Sequence, residues 1–370
     1  MVLDVFEHVT LGQRVVFGAG RAAEHVAAEV ARRGAGRVMV VASPREREIA
    51  ERVCARIEVG VWFDDVVQHV PVGKAQRARA VAAERGMDLL VSVGGGSTVG
   101  LAKAVALTAG IPIVAVPTTY AGSEATNVWG LTEDRTKTTG VDDRVLPATV
   151  IYDATLTTSL PVDLSVASGL NGLAHCVDSL WAPRADPINQ ALALEGARAL
   201  ALALPGIVSD PADLTARERA LYGCYLSAVA FASAGSGLHH KICHVLGGTF
   251  DLPHAQTHAI VLRYVVALNT PAVPELAGRL AVALGGSADE GQGPAGTAVE
   301  TLNRLYETLD APRRLADHGL TEGDLAEAVS RVLEAAPPSN PTPVTRENLT
   351  ILLRDALEGV TPSPGLQPVR

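Results

Sequence analysis

Apolar residues in the first part of the chain fall into short unbroken runs separated by longer mixed stretches. Arg37-Val38-Met39-Val40-Val41-Ala42, Asp88-Leu89-Leu90-Val91-Ser92-Val93, Ile111 to Val116 and Thr149-Val150-Ile151-Tyr152-Asp153 are such runs. Their length and β-branched content predict buried strands. Ser43 and Pro44 predict a helix start, with serine at the cap and proline in the first turn. The alanine-rich segment Ser97 to Thr108 predicts another helix. Strands alternating with helices imply a parallel sheet covered by helices. Between Thr126 and Asp143 the pattern breaks into a polar, turn-rich segment compatible with a β-hairpin.

After about Leu156 the strand signal ends, and alanine- and leucine-rich stretches such as Gln190 to Leu204 and Ala216 to Ala234 predict helices. The expected organisation is an α/β domain over residues 1–153 and an all-α domain over 154–360. Pro337 to Pro343 reads as a connection, Thr345 as the cap of a last helix, and residues 361–370 as a disordered tail.

Composition supports two packed domains. The 370 residues are 48% hydrophobic and 19% charged, which excludes the low-hydropathy signature of disorder. Aromatics are only 4%, so the interior is built from small aliphatics. A net charge of −9 and the lack of a basic stripe argue against a nucleic-acid partner. Cys54, Cys176, Cys224 and Cys243 form no CxxC pair, which favours a reducing compartment. The polar start Met1-Val2-Leu3-Asp4 does not read as a signal peptide, and no run of about 18 apolar residues predicts a membrane span. A cytoplasmic location is expected.

The first candidate site is Gly94-Gly95-Gly96, set between a buried strand and a helix start. Glycine permits close approach to the backbone, and free amides at a helix N-terminus attract anions. A pyrophosphate cradle is expected there, with Ser97 and Thr98 beside it. A second motif, Pro117-Thr118-Thr119-Tyr120-Ala121-Gly122-Ser123-Glu124, follows the third strand. Open α/β sheets bind ligands at that end of their strands, so Thr118, Thr119 and Ser123 are cofactor candidates and Tyr120 a substrate candidate. Gly18-Ala19-Gly20 lacks the GxGxxG spacing. Ser43 stands where a dinucleotide fold places a ribose-binding carboxylate, which leaves room for NADPH beside NADH. Arg45 and Arg47 read chiefly as surface charges.

Five of the ten histidines lie between residues 239 and 258. His240 and His244 are four apart and share a helix face, as do Asn171 and His175 upstream. His254 follows a glycine-containing loop, and His258 is placed in a loop. Imidazoles converging from two helices and a loop suit zinc or iron.

These stretches resemble the iron-containing alcohol dehydrogenase superfamily and, within it, the maleylacetate reductases. The resemblance is carried by Gly94-Gly95-Gly96-Ser97-Thr98-Val99-Gly100-Leu101-Ala102-Lys103, by Thr118 to Glu124, and by Leu238 to Phe250 with Pro253-His254. It implies a dinucleotide-binding domain, a helical domain of the dehydroquinate synthase-like architecture, and an active site in the cleft between them. It also implies a homodimer. The metal-dependent branch holds its ion with an aspartate and three histidines, which fall here on Asn171, His175, His240 and His254. Asn171 departs from that pattern, and so does Gly100, where an acidic residue is usual. Both departures look like the maleylacetate reductases, so no metal is expected.

The activity so implied is NAD(P)H-dependent reduction of the carbon–carbon double bond of maleylacetate to 3-oxoadipate, in the breakdown of aromatic compounds. Hydride addition β to the ketone leaves an enolate that needs positioned donors. Lys241 and the histidines at 175, 240, 244 and 254 are the catalytic candidates. Asn171, His239 and Lys241 are expected to meet the dicarboxylate substrate. Cys243 reads as packing. Thr342 stands where the family would place a basic residue. The rival activities are a metal-dependent alcohol dehydrogenase and a biosynthetic reductase of another unsaturated keto acid. A non-catalytic nucleotide-binding protein would leave the histidine cluster unexplained.

Overall fold

The computed structural model of the chain describes residues 5–133, 136–287 and 293–366. It divides into two compact units, one spanning Leu11–Pro161 and the other Val162–Arg370 together with the N-terminal segment through Thr10. The division falls at Pro161 rather than at Asp153. Asp153 instead caps a short 3-10 turn, Ala154–Thr157, that extends the α/β unit. The first residues join the helical unit, where His8 Nδ1 lies 2.9 Å from Asp186 Oδ2.

The α/β unit runs β1 (Arg14–Phe17), α1 (Ala22–Arg33), β2 (Val38–Val41), α2 (Arg47–Val53), β3 (Val61–Phe63), α3 (Val72–Glu84), β4 (Leu89–Gly94), α4 (Gly96–Ala109), β5 (Ile113–Pro117), β6 (Val128–Glu133), β7 (Thr136–Val141) and β8 (Thr149–Tyr152). Six strands form one sheet in the order β1-β8-β5-β4-β2-β3, with every neighbouring pair parallel. The four apolar runs became β2, β4, β5 and β8, the interior strands. Val38, Val40, Leu89, Val91, Val93, Val114, Val116 and Ile151 form the core on one face, against Val26 of α1 and Ala50 of α2. The broken segment is the antiparallel hairpin β6–β7. At one edge of the sheet Glu29 is buried and accepts hydrogen bonds from Arg32 at 2.7 Å and Thr149 at 2.9 Å, with Arg14 Nε 2.9 Å away.

The helical unit contains α5 (Val162–Trp181), α6 (Pro187–Ser209), α7 (Leu214–Ala234), α8 (Leu238–Phe250), α9 (His254–Asn269), α10 (Pro274–Ala283), α11 (Gly293–Thr308), α12 (Leu325–Ala335) and α13 (Arg346–Glu358). Thr345 caps α13 and accepts from Asn348 N at 3.2 Å. Contrary to the sequence reading, α6 is long and apolar enough to cross a membrane. It packs within the unit instead, against α5 and α7, and buries Ala193, Ala197, Leu200, Leu204 and Ile207. The tail expected from Thr361 is structured as far as Leu366, which is buried; residues 367–370 lie outside the described residues.

Candidate functional site

The glycine turn sits where β4 passes into α4. Gly94 has φ 149°, and Gly95 is the N-cap of the helix. A Cβ on Gly94 would lie 2.5 Å from Thr98 Oγ1, and one on Gly95 would lie 2.9 Å from Thr119 Cγ2. A Cβ is thus excluded from the turn, and beyond Gly95 N, which faces Glu46 Oε1 at 3.4 Å, the amides that open α4 suit an anion. Thr118 N donates to Gly94 O at 3.2 Å, which fixes the second motif beside the first. Ser97, Thr119 and Ser123 are half-buried around the turn, and Thr98 and Thr118 are buried.

Lys103 ties the two motifs together. Its fully buried Nζ donates to the carbonyls of Ser123 (2.6 Å), Thr126 (2.8 Å) and Val128 (2.8 Å). Burial pushes this amine down to about 7, and the Glu124 carboxylate pushes it back up. Three carbonyls take three N–H donors, which only the ammonium has. Lys103 therefore clamps the loop after the second motif onto α4.

Three expectations change in this unit. Tyr120 is fully buried and its hydroxyl donates to Thr157 Oγ1 at 3.2 Å, so it serves the core rather than a substrate surface. At Gly18-Ala19-Gly20 the place of an anion is taken by Asp153, which accepts from Gly20 N at 2.8 Å and Ala22 N at 3.0 Å. Ser43 makes no cap hydrogen bond with its side chain. It donates to Glu46 Oε2, and Glu46 Oε1 lies 3.4 Å from Gly95 N and 3.5 Å from Thr118 Oγ1. Sequence reasoning missed Glu46 because Ser43-x-x-Glu46 has the form of a capping box, whose glutamate normally turns back on its own helix.

The histidine site belongs to the helical unit. Asn171, His175 and Asp178 lie on one face of α5 at helical spacing. Asp178, missed from sequence, organises the start of α8. It is fully buried and accepts from Gly237 N at 3.0 Å, His240 N at 3.2 Å and His240 Nδ1 at 2.7 Å. Burial pushes its carboxyl up to about 7, and the backbone donors of His240, Gly237 and His239 oppose that. With those donors aimed at it, the proton of the pair sits on His240 Nδ1. His240 Nε2 is then a bare acceptor, buried and unpartnered.

Further buried atoms of the cluster also lack hydrogen-bond partners: His175 Nδ1, Asn171 Oδ1, Asp178 Oδ1, His239 Nδ1 and His258 Nε2. An unsatisfied buried polar group costs about 1–3 kcal/mol, so a cluster of them marks a site kept for a ligand. Burial holds the imidazoles neutral: it lowers His175 to about 4 and His239 to about 3, and His240 and His258 lie well below their usual value. The His239 ring meets that of His240 edge-on, with centroids 5.1 Å apart, and its Nε2 is 3.1 Å from His258 Nδ1. His258 is not in a loop but inside α9, fully buried. Cys243 packs below them, 3.6 Å from His239 Nε2.

His244 is half-buried, its ring 6.1 Å from that of His240. Lys241 is half-buried and makes no ion pair among the described residues, so its ammonium is available to an anion. Thr342 turns inward, donating to Leu268 O at 2.7 Å.

The metal-branch ligand set does not fit this arrangement. His254 is exposed, and its ring lies 4.3 Å from that of His258. The His175 and His240 rings are stacked, with centroids 4.8 Å apart and planes 12° apart, so their in-plane lone pairs do not converge. The three histidines with nitrogens within 4.8 Å of one another are His239, His240 and His258, two of which already face each other. Asp178 Oδ2 is taken by His240 Nδ1 and two backbone amides, which leaves only its buried Oδ1 without a partner. At Gly100, a Cβ would come within 2.9 Å of Val70 Cγ2, which fills the space of the acidic residue usual there.

Residues 12–154 match the family model for iron-containing alcohol dehydrogenase, and residues 165–357 match that for the C-terminal part of the Fe-containing alcohol dehydrogenase family. The chain is 46% identical over 360 residues to a maleylacetate reductase of Sphingobium indicum, covering 96% of this chain and 99% of that one. A crystal structure described as an iron-containing alcohol dehydrogenase from Corynebacterium glutamicum superposes with a TM-score of 0.92 at 60% identity, covering 96% and 98% of the two chains. A maleylacetate reductase structure from a Rhizobium strain gives 0.88 at 41% identity, covering 97% and 100%. The chain is an oxidoreductase of the iron-containing alcohol dehydrogenase family, on its maleylacetate reductase branch.

Proposed function

We propose that this protein reduces the carbon–carbon double bond of maleylacetate to give 3-oxoadipate, using NADH or NADPH and no metal ion. Its full-length relationship to maleylacetate reductases supports the substrate. Asn171 carries the chemistry: an amide stands where the metal-binding branch has a carboxylate.

The glycine turn and the hydroxyls of Thr118 and Thr119 hold the dinucleotide. Nicotinamide held there would supply a hydride to the alkene carbon β to the ketone, with the electron pair of the double bond moving onto the ketone oxygen as an enolate. Asn171 can aim an N–H at that oxygen, where an aspartate would repel it. Lys241 offers an ammonium to one substrate carboxylate through a charge-assisted hydrogen bond. His240, fixed by Asp178 with Nε2 bare, positions a water or accepts a substrate hydrogen bond. His175, stacked against it and tilted against Phe231, packs beside it. Protonation of the carbon α to the ketone completes the reduction, consuming one hydride and one proton.

The test is cofactor oxidation at 340 nm (roughly the reduced-nicotinamide band) with chelator-treated protein. Turnover with maleylacetate after chelation is expected. Turnover confined to simple aldehydes, and only after Fe²⁺ or Zn²⁺ is added, would sink the proposal and favour the alcohol dehydrogenase reading.

A further inference from the structure

Glu46 is half-buried at the carboxyl ends of two adjacent parallel strands. β2 leads into the turn that carries it, and β4 carries the glycine turn. The carboxylate is tethered by Ser43 and faces Gly95 N at 3.4 Å. In a parallel sheet that holds a pyrophosphate on a glycine turn, the adenosine ribose lies over the end of the neighbouring strand. Position 43, at the end of β2, has no carboxylate; Glu46 brings one back to the same place from one turn further along.

We propose that Glu46 accepts hydrogen bonds from the adenosine ribose hydroxyls and makes this protein selective for NADH over NADPH. The assignment rests on the glycine turn being the dinucleotide site. A 2′-phosphate would bring negative charge against the Glu46 carboxylate in a partly desolvated turn, where like charges repel strongly. Little nearby charge offsets it. Arg47 is engaged, with Nε 2.7 Å from Glu51 Oε1 and its guanidinium 4.0 Å over the Trp62 ring. Arg45 is exposed and makes no ion pair among the described residues, so a 2′-phosphate can recruit it. The selectivity thus reverses the latitude that Ser43 alone suggests.

Calorimetric titration of NADH and NADPH into the full chain tests this without any substrate. The native protein is expected to bind NADH at least about tenfold more tightly. Glu46→Gln is expected to narrow the ratio at least about fivefold, mainly by tightening NADPH, with Glu46→Ala as a second variant in case the amide perturbs the turn. Arg45→Ala should widen the ratio. Equal affinity of the native protein for the two nucleotides, or an unchanged ratio in both Glu46 variants, overturns the role of Glu46 alone. Failure to bind either nucleotide overturns the glycine-turn reading with it.

Discussion

Replacing Asn171 by aspartate restores the residue type of the metal-dependent branch at one atom's cost. Asn171 is 2% exposed, and Asp178 already occupies the same face of α5. A carboxylate there would confront the developing enolate. Two unit charges about 4 Å apart at an effective dielectric near 20 repel by about 4 kcal/mol. At about 1.4 kcal/mol per factor of ten, that is a loss in kcat on the order of a thousandfold. Asn171→Ala removes the donor without adding charge, so its loss should be on the order of ten- to a hundredfold, in keeping with one hydrogen bond to a charged group.

The assay is steady-state oxidation of reduced cofactor with maleylacetate in chelator, alongside far-UV circular dichroism to establish folding. Alanine is expected to outperform aspartate. Adding Zn²⁺ or Fe²⁺ should bring metal content in the aspartate variant towards one ion per chain, because a carboxylate supplies the charge the neutral ligands lack. An aspartate variant that folds and keeps more than about a tenth of native kcat in chelator would refute the reasoning, since an expected penalty of about 4 kcal/mol leaves far less.

Asp178→Asn should lower stability by about 1.5–3 kcal/mol in urea unfolding, since it weakens the charge-assisted hydrogen bond from His240 and those from two backbone donors. It should also cut kcat on the order of a hundredfold and alter its pH profile, because His240 loses its fixed tautomer; an unchanged profile would leave Asp178 a merely structural cap. Glu29→Gln should cost about 2 kcal/mol at neutral pH. Burial pushes Glu29 up, but Arg32, Thr149 and Arg14 together hold its carboxyl below the usual value. That stabilisation is present above the unfolded pKa and is lost as pH falls through the folded one, so the gap between native and variant should close on acidification; a gap that persists in acid counts against the charge network. Gly94→Ala should destabilise by about 2–3 kcal/mol and weaken NADH binding at least tenfold, since its Cβ would meet Thr98 Oγ1; full binding in calorimetry would show that the turn is not the cradle.

The sequence made the interior of the sheet legible because β2, β4 and β8 are buried at every position and their apolar runs need no partner to be recognised. β1 and β3 escaped for the opposite reason. They are four and three residues long and only partly buried, and they close the two edges of the sheet. An edge strand is defined by its pairing, and pairing is not written in its own residues.

The candidate site divides along the same line. Helical spacing correctly put His240 and His244 on one face and Asn171 and His175 on another, since periodicity is a local property. Which imidazole meets which is settled by the packing of α8 on α5 and α9, and there the count of five histidines was a poor guide. His239 pairs with His258 across α8 and α9, while His254 remains exposed. Asp178 and Glu46 were invisible for the same physical reason. Each is a single carboxylate on a helical segment, and each gains its meaning only from amides that the fold brings to it from elsewhere: Gly237 and His240 for one, Gly95 for the other. Both sites are therefore shaped by an acidic side chain drawn to the N-terminus of a second helix, where open N–H groups and the helix dipole favour negative charge. In the helical unit the carboxylate orients a histidine. At the glycine turn it stands where a dinucleotide must lie, so there the carboxylate acts on the choice of cofactor.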